Sequence, residues 1–357
     1  MLLARVGTAS TLAAACALGF SAVALPVAVA VVVPVPVAAA AARPVVSPPP
    51  VAGSLSKITV PGSVLTEPEG ITDSGVIVGC FQRKTGPMRG FVDRHGKFVT
   101  ITDPAAGKNG QVLACPLGIN KKGSVVGYFR TAAGVFHGFL DRGGKFTSIN
   151  ALGAGRLAGE GTVAVDIGNS GAIVGWFINS KHAEHGFLLK AGKFTTIIDP
   201  VTAHSSTAGT FTDGIADNGT ITGGYSDTKG VSHGFLYRAG KFTPLDVPHS
   251  ANTSPACISA TSGLVVGIYA TAHPTSNPIG FTYRNGVFHT LRDPAASHGT
   301  VPQCGNDFGR VVGYYFDRNA RQHGFKFTPD RVQRGDVRPG PAVTGSAPPS
   351  VRSGPTF

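Results

Sequence analysis

The chain has 357 residues, a formal net charge of +12 at pH 7 and 14% charged residues, together with 49 glycines and 26 prolines. This length fits either two average domains or one large all-β domain, and the composition is typical of many short strands joined by tight turns. The basic charge favours loose attraction to anionic surfaces outside the cell. No helical basic stripe or recognised binding motif accompanies it, so we do not expect nucleic-acid binding.

The first segment of the chain is apolar and carries no charge between Arg5 and Arg43. Alanine, valine, leucine and proline dominate it, which is typical of an export signal or a membrane anchor. Its prolines would interrupt a spanning helix, and the alanines at 38–42 provide the small residues of a signal-peptidase site. We therefore expect residues 1–42 to be a cleaved signal peptide of a secreted, extracellular protein. The alternative is a retained anchor at the outer face of the membrane. Residues 43–54 form a proline-rich linker.

Two short motifs recur with spacings of 44 to 48 residues. A valine- or threonine-glycine step ends at Gly79, Gly127, Gly175, Gly223, Gly267 and Gly313. A glycine-phenylalanine step begins at Gly90, Gly138, Gly186, Gly234, Gly280 and Gly324. Each unit has four short apolar segments, and a two-residue turn such as Ala191-Gly192 joins the last two, with glycine supplying the positive φ of a tight hairpin. Four antiparallel strands per unit of this length are typical of a β-propeller blade.

The sixth unit lacks a fourth segment of its own, because it stops after HGFKFTP at residues 323–329. KITVP at residues 57–61 resembles the close of a fourth strand, as in LDVP at residues 245–248. An N-terminal strand that completes the last blade would close the ring and remove its open edges. We predict an all-β, six-bladed β-propeller of four-stranded antiparallel blades over residues 55–329. An open β solenoid of the same hairpins is the alternative.

Four stretches carry the pattern most clearly, namely Gly118-Ile119-Asn120, Ile173-Val174-Gly175, His185-Gly186-Phe187 and FTTIIDP at residues 194–200. With their counterparts in the other units they resemble the repeat of the HAF family of extracellular proteins, which runs G-I-N-D-x-G-x-I-V-G-x-Y, then H-G/A-F, then F-x-x-I-D-x-P. Arg89 and Ile279 replace the expected histidine, and the first strand near Cys257 departs from the pattern. The resemblance covers nearly all of residues 55–329. It implies an extracellular repeat domain and no established activity.

Histidine precedes the glycine-phenylalanine step in four units, as His137, His185, His233 and His323. Counting outward from the hairpin turn places Asn150 opposite His137 and, in another unit, Asp246 opposite His233. Asp199 lies one residue past the position opposite His185. We interpret these residues as hydrogen-bonded clasps that fix the hairpins, because a catalytic site is usually one asymmetric cluster. Histidines on different blades are not expected to converge on a metal, and no catalytic or phosphate-binding motif is present.

Four cysteines remain when Cys16 in the apolar segment is excluded, and an even number in an exported chain is compatible with disulfides. Cys257 and Cys304 occupy nearly equivalent positions in the first strands of adjacent units. We therefore expect a Cys257 to Cys304 bond and a Cys80 to Cys115 bond, with free buried thiols as the alternative.

The connections after the second and fourth segments vary among the units, whereas the other turns are short and similar. In an up-and-down blade the variable connections lie on one side, which we name the loop face and predict to be the binding surface. Its candidate binding residues are Lys108, Arg156, Glu160, His204 and His298. Glycosidase chemistry usually needs two carboxylates that flank one bond, and Glu160 stands almost alone among these residues.

We therefore expect a secreted or surface-associated, non-catalytic binding module that is monomeric and has no cofactor or metal. A glycan, an anionic cell-wall polymer or a surface protein is the expected partner. An extracellular hydrolase or lyase built on the same ring is the alternative. Residues 330–357 are rich in proline, glycine, serine and arginine, and we expect them to form a disordered tail.

Overall fold

The computed structural model describes residues 48–107, 109–202, 209–271 and 277–330. The expected signal or anchor at 1–42 and nearly all of the expected tail lie outside these residues. Within them, no helix is long and apolar enough to cross a membrane. The only helical element described is one 3-10 turn, Pro104–Ala106.

The remaining regular structure consists of strands. They are β1 (Gly53–Ile58), β2 (Leu65–Ile71), β3 (Val76–Gln82), β4 (Arg89–Arg94), β5 (Lys97–Ile101), β6 (Val112–Ile119), β7 (Val125–Arg130), β8 (Phe136–Arg142), β9 (Lys145–Ile149), β10 (Gly161–Ile167), β11 (Ile173–Ile178), β12 (Glu184–Lys190), β13 (Lys193–Ile197), β14 (Thr210–Ile215), β15 (Ile221–Ser226), β16 (Ser232–Arg238), β17 (Lys241–Pro244), β18 (Asn252–Ile258), β19 (Val265–Ala270), β20 (Ile279–Arg284), β21 (Val287–Leu291), β22 (Thr300–Gly305), β23 (Val311–Phe316) and β24 (Gln322–Pro329).

Antiparallel pairing of these strands gives six four-stranded blades in the described chain. Blade 1 is β2 to β5, blade 2 is β6 to β9, blade 3 is β10 to β13, blade 4 is β14 to β17, blade 5 is β18 to β21, and blade 6 is β22 to β24 with β1. Blades 2 and 3 form one eight-stranded sheet, because a single parallel bridge joins Gly161 to Phe136. The first strand of each blade is innermost and packs against the first strands of its neighbours. The prediction of an all-β propeller is confirmed.

The ring is closed between the last blade and the first. Strand β1 pairs with β24 over six residues, from Gly53 opposite Pro329 to Ile58 opposite Gly324. Across the junction of blades 6 and 1, Asn306 Nδ2 donates to the Thr72 carbonyl oxygen at 3.0 Å. The open solenoid is therefore wrong, since its two ends would not meet.

The chain joins the fold slightly before the expected start at residue 55. β1 begins at Gly53, and the preceding residues pair with blade 5. There, Thr290 N donates to the Pro49 carbonyl oxygen, and Val51 N donates to the Thr290 carbonyl oxygen, both at 2.9 Å. Residues 48–52 of the expected linker thus form an extra edge contact on β21.

The recurring glycines are explained by close approaches of the backbone. A Cβ on Gly127 would collide with the carbonyl oxygen of Cys115 on the facing strand, and the equivalent glycines meet the same obstacle. A Cβ on Gly324 would lie 2.8 Å from Cδ of Pro68, in the first strand of the next blade. The first motif therefore permits pairing within a blade, and the second permits packing between blades.

Phenylalanines fill the interior of each blade. The third-strand phenylalanine is fully or almost fully buried in every blade, as Phe91, Phe139, Phe187, Phe235, Phe281 and Phe325. In blades 1 to 5 it meets a phenylalanine of the fourth strand, with ring centroids 5.0 to 5.7 Å apart. These side chains are part of the packed scaffold and do not form a ligand site.

The two sides of the ring carry different kinds of connection. Second-to-third and fourth-to-first connections lie on the loop face. First-to-second turns, such as 72–75, and third-to-fourth turns, such as 143–144, lie on the opposite side, which we name the turn face. β1 begins and β24 ends on the turn face, because β24 runs from the loop face to the turn face and β1 runs antiparallel to it.

Two disulfide bonds join neighbouring blades. Cys80 in blade 1 is bonded to Cys115 in blade 2, and Cys257 in blade 5 is bonded to Cys304 in blade 6. These are the two pairs expected from the sequence. Each bond fixes the innermost strand of one blade to the blade before it.

We expect the purified protein to expose four additional thiols after denaturation and reduction. Each bond closes a loop of 35 or 47 residues, and such a cross-link stabilises by about 4 kcal/mol through the unfolded chain. The Cys257→Ser, Cys304→Ser variant should therefore melt several degrees lower than the parent protein. Thiol titration and thermal melts measure both effects, and an unchanged thiol count on reduction would contradict the bonds.

Candidate functional site

The fourth-to-first connections of the loop face are anchored at their bases. In five of them a buried threonine hydroxyl accepts a hydrogen bond of 2.9 to 3.1 Å from a backbone N–H just past the fourth strand. The threonines are Thr66, Thr162, Thr210, Thr253 and Thr300. The bases of these connections are thus part of the scaffold, and variation is confined to their tips.

The connection from β9 to β10, residues 150–160, is held along its length. Gly155 N donates to the carbonyl oxygen of Ile178 in blade 3 at 2.9 Å, and Gly159 N donates to that of Gly134 in blade 2 at 3.0 Å. The side chain of Glu160 is 0% exposed, and its Oε2 accepts from Leu157 N at 2.9 Å. The segment therefore spans the second-to-third turns of two blades in one defined conformation.

This fixed segment presents apolar and basic side chains to solvent. Leu152 is 82% exposed and Leu157 is 68% exposed, and Arg156 between them is also exposed. Val201, on the next fourth-to-first connection, is 54% exposed. We name Leu152, Arg156 and Leu157 the loop ridge.

The structure does not gather the predicted binding residues into one site. Lys108 and His204 lie outside the described residues. Arg156 is exposed before blade 3, and His298 is exposed before blade 6, on the opposite side of the ring. Glu160 was predicted as a surface binding residue, and this is wrong because its carboxylate is buried and holds the loop that displays Arg156.

Two of the expected clasps are present as hydrogen bonds. His137 Nδ1 lies 2.8 Å from Asn150 Oδ1, and His233 Nδ1 lies 3.0 Å from Asp246 Oδ2. Each of these histidines also stacks on the aromatic ring opposite it in the second strand, Phe129 in one blade and Tyr225 in another. Both imidazoles therefore contribute to the blade itself.

The expected His185 to Asp199 clasp is wrong. Asp199 lies one residue beyond the position opposite His185, so the alternation of the strand turns its side chain inward. Its carboxylate is buried and accepts a hydrogen bond from Val201 N at 2.9 Å. His185 instead has Nε2 3.1 Å from Asn179 Nδ2, and burial lowers the pKa of this imidazole.

The partner that the sequence interpretation missed lies six residues before the histidine. Asn179 contacts His185 in this way, and Asp317 Oδ2 lies 2.9 Å from Nε2 of His323. The hydrogen bond from His323 is the main cause that lowers the pKa of Asp317 to about 2. Asn179 and Asp317 also accept hydrogen bonds from backbone N–H groups of the turn that each begins. The signal was present in three of the four units with this histidine, as an Asn or Asp six residues before it.

A narrow channel runs along the axis of the ring. A β-bulge interrupts the first strand of every blade, and the six bulged residues line a cavity of about 90 Å³. They are Glu69, Leu117, Val165, Asp213, Ala256 and Gln303. A second cavity of about 60 Å³ adjoins it at the turn face. The first cavity has room for several water molecules, and Trp176 is buried in its wall.

Three carboxyl groups in this channel have pKa values above their usual range. Burial raises the pKa of Asp213 to about 8. Burial also raises the pKa of Asp166 to about 6, against the hydrogen bonds that its carboxylate accepts from Ile215 N and Ile167 N. The pKa of Glu69 is well above its usual range because of burial, and the nearby charge of Glu67 adds to the effect. These three channel carboxyls were missed. Glu69 and Asp213 each precede a Gly-Ile step, but only three of the six bulged residues do, so the step is a weak signal.

No site for a metal is apparent in the described residues. No group of three or more histidine, cysteine, aspartate or glutamate side chains there is arranged to hold an ion.

Comparisons with known proteins bear on the fold alone. No protein-family model matches the chain, and no curated protein matches it. A lectin from Aleuria aurantia in complex with Fucα1-6GlcNAc is 11% identical, with 76% of this chain and 98% of the lectin covered and a TM-score of 0.46. AofleA from Arthrobotrys oligospora is 11% identical, with 76% and 86% covered and a TM-score of 0.47.

A gluconolactonase from Xanthomonas campestris is 13% identical, with 81% of this chain and 99% of the enzyme covered and a TM-score of 0.43. All three TM-scores are below 0.5, and a lectin and an enzyme are both among the matches. The likenesses therefore do not decide between binding and catalysis.

The raised pKa of Asp213 predicts how stability depends on pH. Because its pKa rises from 3.8 to about 8 on folding, the folded protein holds this proton more tightly than the unfolded chain does. The contribution to stability is full below about pH 4 and is lost as the pH rises to about 8. Asp213→Asn cannot ionise, so its melting temperature should exceed that of the parent by several degrees at pH 8, with little difference near pH 4.

Thermal melts from about pH 4 to 9 measure this difference, and Asp330→Asn is the control, since Asp330 is exposed at the edge of the described chain. The control should follow the parent at every pH. A constant offset between Asp213→Asn and the parent across the range would show that Asp213 is not held protonated.

Proposed function

We propose that this chain is a non-catalytic binding module that holds its ligand on the loop face. Its ligand would be a polysaccharide, a cell-wall component or a protein outside the cell. The observation that carries the proposal is the loop ridge, where two exposed leucines flank an exposed arginine on a fixed segment. Large apolar side chains held together in solvent favour an interaction surface.

The hydrogen bonds of the ridge segment support this proposal. Its backbone is hydrogen-bonded to the second-to-third turns of blades 2 and 3, and the buried carboxylate of Glu160 accepts a hydrogen bond from Leu157 N. A ligand that binds there does not have to order the loop, so less of the contact energy is lost to conformational entropy. The ridge is therefore better suited to recognition than a loop without such anchors.

Five ionisable groups of the loop face are engaged within the scaffold, which supports a function without catalysis, although burial raises the pKa of Glu184 on the same face to about 7. His137 and His233 are hydrogen-bonded to residues of their own blades. The side chains of Asp103, Asp199 and Asp293 each accept a hydrogen bond from a backbone N–H two residues later. These groups stabilise turns, and none of them is paired with a second free carboxyl as hydrolysis of a glycosidic bond would require.

A second candidate function has one observation in its favour. The channel carboxyls Glu69, Asp166 and Asp213 have raised pKa values, and such groups are common at catalytic sites. An extracellular hydrolase or lyase would use them as proton donors, with the substrate at the mouth of the channel. Under this alternative the loop ridge would only guide the substrate.

A ridge variant separates these functions. Leu152→Ser, Arg156→Gln, Leu157→Ser removes the exposed groups without touching Glu160, and we expect it to bind about tenfold more weakly to the best target of a glycan array or cell-wall pull-down. The matched control is Val99→Ser, Lys57→Gln, which alters an exposed apolar residue and an exposed cation on outer strands, away from both the loop face and the turn face. The control should bind like the parent.

Two results would contradict the proposal. One is equal binding by the parent, the ridge variant and the control. The other is an absence of binding at low salt together with turnover of a hydrolase substrate panel that Asp213→Asn or Glu69→Gln abolishes. The second result would establish the enzymatic alternative.

A further inference from the structure

Basic side chains stand in opposed pairs on the turn face. In blades 1 to 4 the third-to-fourth hairpin has a cation directly opposite another cation across its two-residue turn. The pairs are Arg94 with Lys97, Arg142 with Lys145, Lys190 with Lys193, and Arg238 with Lys241. We name these eight residues the basic arc.

The basic arc has no evident role in stabilising the fold. All eight side chains are exposed, and none of them forms a hydrogen bond or an ion pair with another described side chain. Like charges directly opposite each other on paired strands are destabilising. Their occurrence in four successive hairpins therefore favours a function outside the fold.

The acidic groups of the turn face do not neutralise the arc, because they are engaged elsewhere. Asp93 and Asp141 are buried and accept hydrogen bonds from the backbone of their own turns. Asp217 and Asp307 lie on first-to-second turns, nearer the channel, where they accept hydrogen bonds from Asn169 and Thr261 of neighbouring blades. The outer margin of blades 1 to 4 is therefore uniformly positive.

The remaining part of the turn face exposes two large apolar side chains. In blade 5 the hairpin partner of Arg284 is Val287, which is 52% exposed. In blade 6 the first-to-second turn presents Phe308, which is 55% exposed with the Arg310 guanidinium 5.9 Å from its ring centroid. Phenylalanine together with basic side chains is found in segments that bind at the headgroup level of a membrane.

The chain enters and leaves the ring beside these apolar side chains. Gly53 and Pro329 are paired at the turn-face end of blade 6, and a Cβ on Gly309, next to Phe308, would lie 3.3 Å from Pro329. The segment before this point includes the uncharged apolar stretch between Arg5 and Arg43, and the segment after it has four arginines and two aspartates. The basic C-terminal segment therefore follows in sequence from the turn-face edge of blade 6, whereas residues 48–51 lie beside Thr290 of β21 before the chain reaches Gly53.

We propose that the turn face docks on an anionic lipid surface, with the basic arc facing the headgroups and Phe308 and Val287 at their level. A polysaccharide would also attract the arc, but the exposed apolar side chains at the chain ends favour lipid. This docking would turn the loop face away from the membrane and towards the medium. The inference does not depend on the function proposed for the loop face.

Vesicle binding tests the proposal with two variants of equal charge. The arc variant is Arg142→Gln, Lys145→Gln, Lys190→Gln, Lys193→Gln, and the control is Lys84→Gln, Lys181→Gln, Lys229→Gln, Arg318→Gln, whose residues are exposed on the loop face outside the ridge. Cosedimentation of the full chain is measured with phosphatidylcholine vesicles and with vesicles that also contain phosphatidylglycerol. Thermal melts confirm that both variants are folded.

We expect phosphatidylglycerol to increase binding of the parent, and high salt to remove that increase. A cation at an anionic surface strengthens binding by about fivefold, so the arc variant should lose about tenfold or more and the control less than about threefold. Phe308→Ser should weaken binding to the same vesicles but leave binding to soluble polygalacturonate unchanged.

Three results would overturn the proposal. Binding that is the same with and without phosphatidylglycerol would exclude recognition of anionic lipid. An equal loss in the arc variant and the control would show that total charge, and not this face, governs binding. Arc-dependent binding to polygalacturonate without arc-dependent binding to vesicles would assign the surface to a polysaccharide.

Discussion

The pairing of β1 with β24 is the interaction on which the rest of the architecture depends. It joins residues about 270 positions apart in the sequence and supplies the fourth strand that blade 6 lacks. Without it, β24 would be an open edge available for pairing with another chain. With it, Ile58 and Val60 enter a buried cluster with Ile71 and Phe91 of blade 1. The closing strand therefore also fixes the last blade to the first.

Closure of the ring determines where function can reside. Once six blades surround the axis, the bulged residues can only face a narrow channel, and the turns and loops are separated onto two sides. The loop face has the fixed ridge at Leu152 and Leu157, and the turn face has the opposed cation pairs. The two proposed surfaces are thus compatible, because a protein docked through its turn face would leave the ridge free. The channel carboxyls lie between them and are explained by neither surface.

The blades and their boundaries could be predicted from the sequence because the same glycines and turn residues recur at the same positions in each repeat. Glycine marks where strands approach each other, as at Gly127, and the two-residue turns set the register of the outer hairpins. The same register placed His137 opposite Asn150 and His233 opposite Asp246. The closing strand could also be predicted, because the last repeat lacks a fourth strand and residues 57–61 resemble a fourth strand that no preceding repeat accounts for.

The site could be predicted only in part, because the decisive features are contacts between residues on different strands or blades. Glu160 is polar and follows a glycine-rich segment, so it resembles a surface residue until the folded loop buries it under Leu157. A shift of one residue turned Asp199 inward and left His185 with Asn179. The ring formed by Glu69, Asp213 and their equivalents required the bulge, which changes the direction of one residue without any strong local signal.

A cross-link between β1 and β24 tests the central claim, closure of the ring by the N-terminal strand, most directly. Ser56 and Lys326 are opposed in the register, and opposed residues of antiparallel strands are close enough for a disulfide. The Ser56→Cys, Lys326→Cys variant should form an intramolecular bond, seen as one linked pair of peptides by mass spectrometry of the non-reduced digest. Ser56→Cys, Thr328→Cys, which is out of register by two residues, should form much less. Absence of the first bond, equal formation in both variants, or a bond found only between two chains would contradict the closed ring.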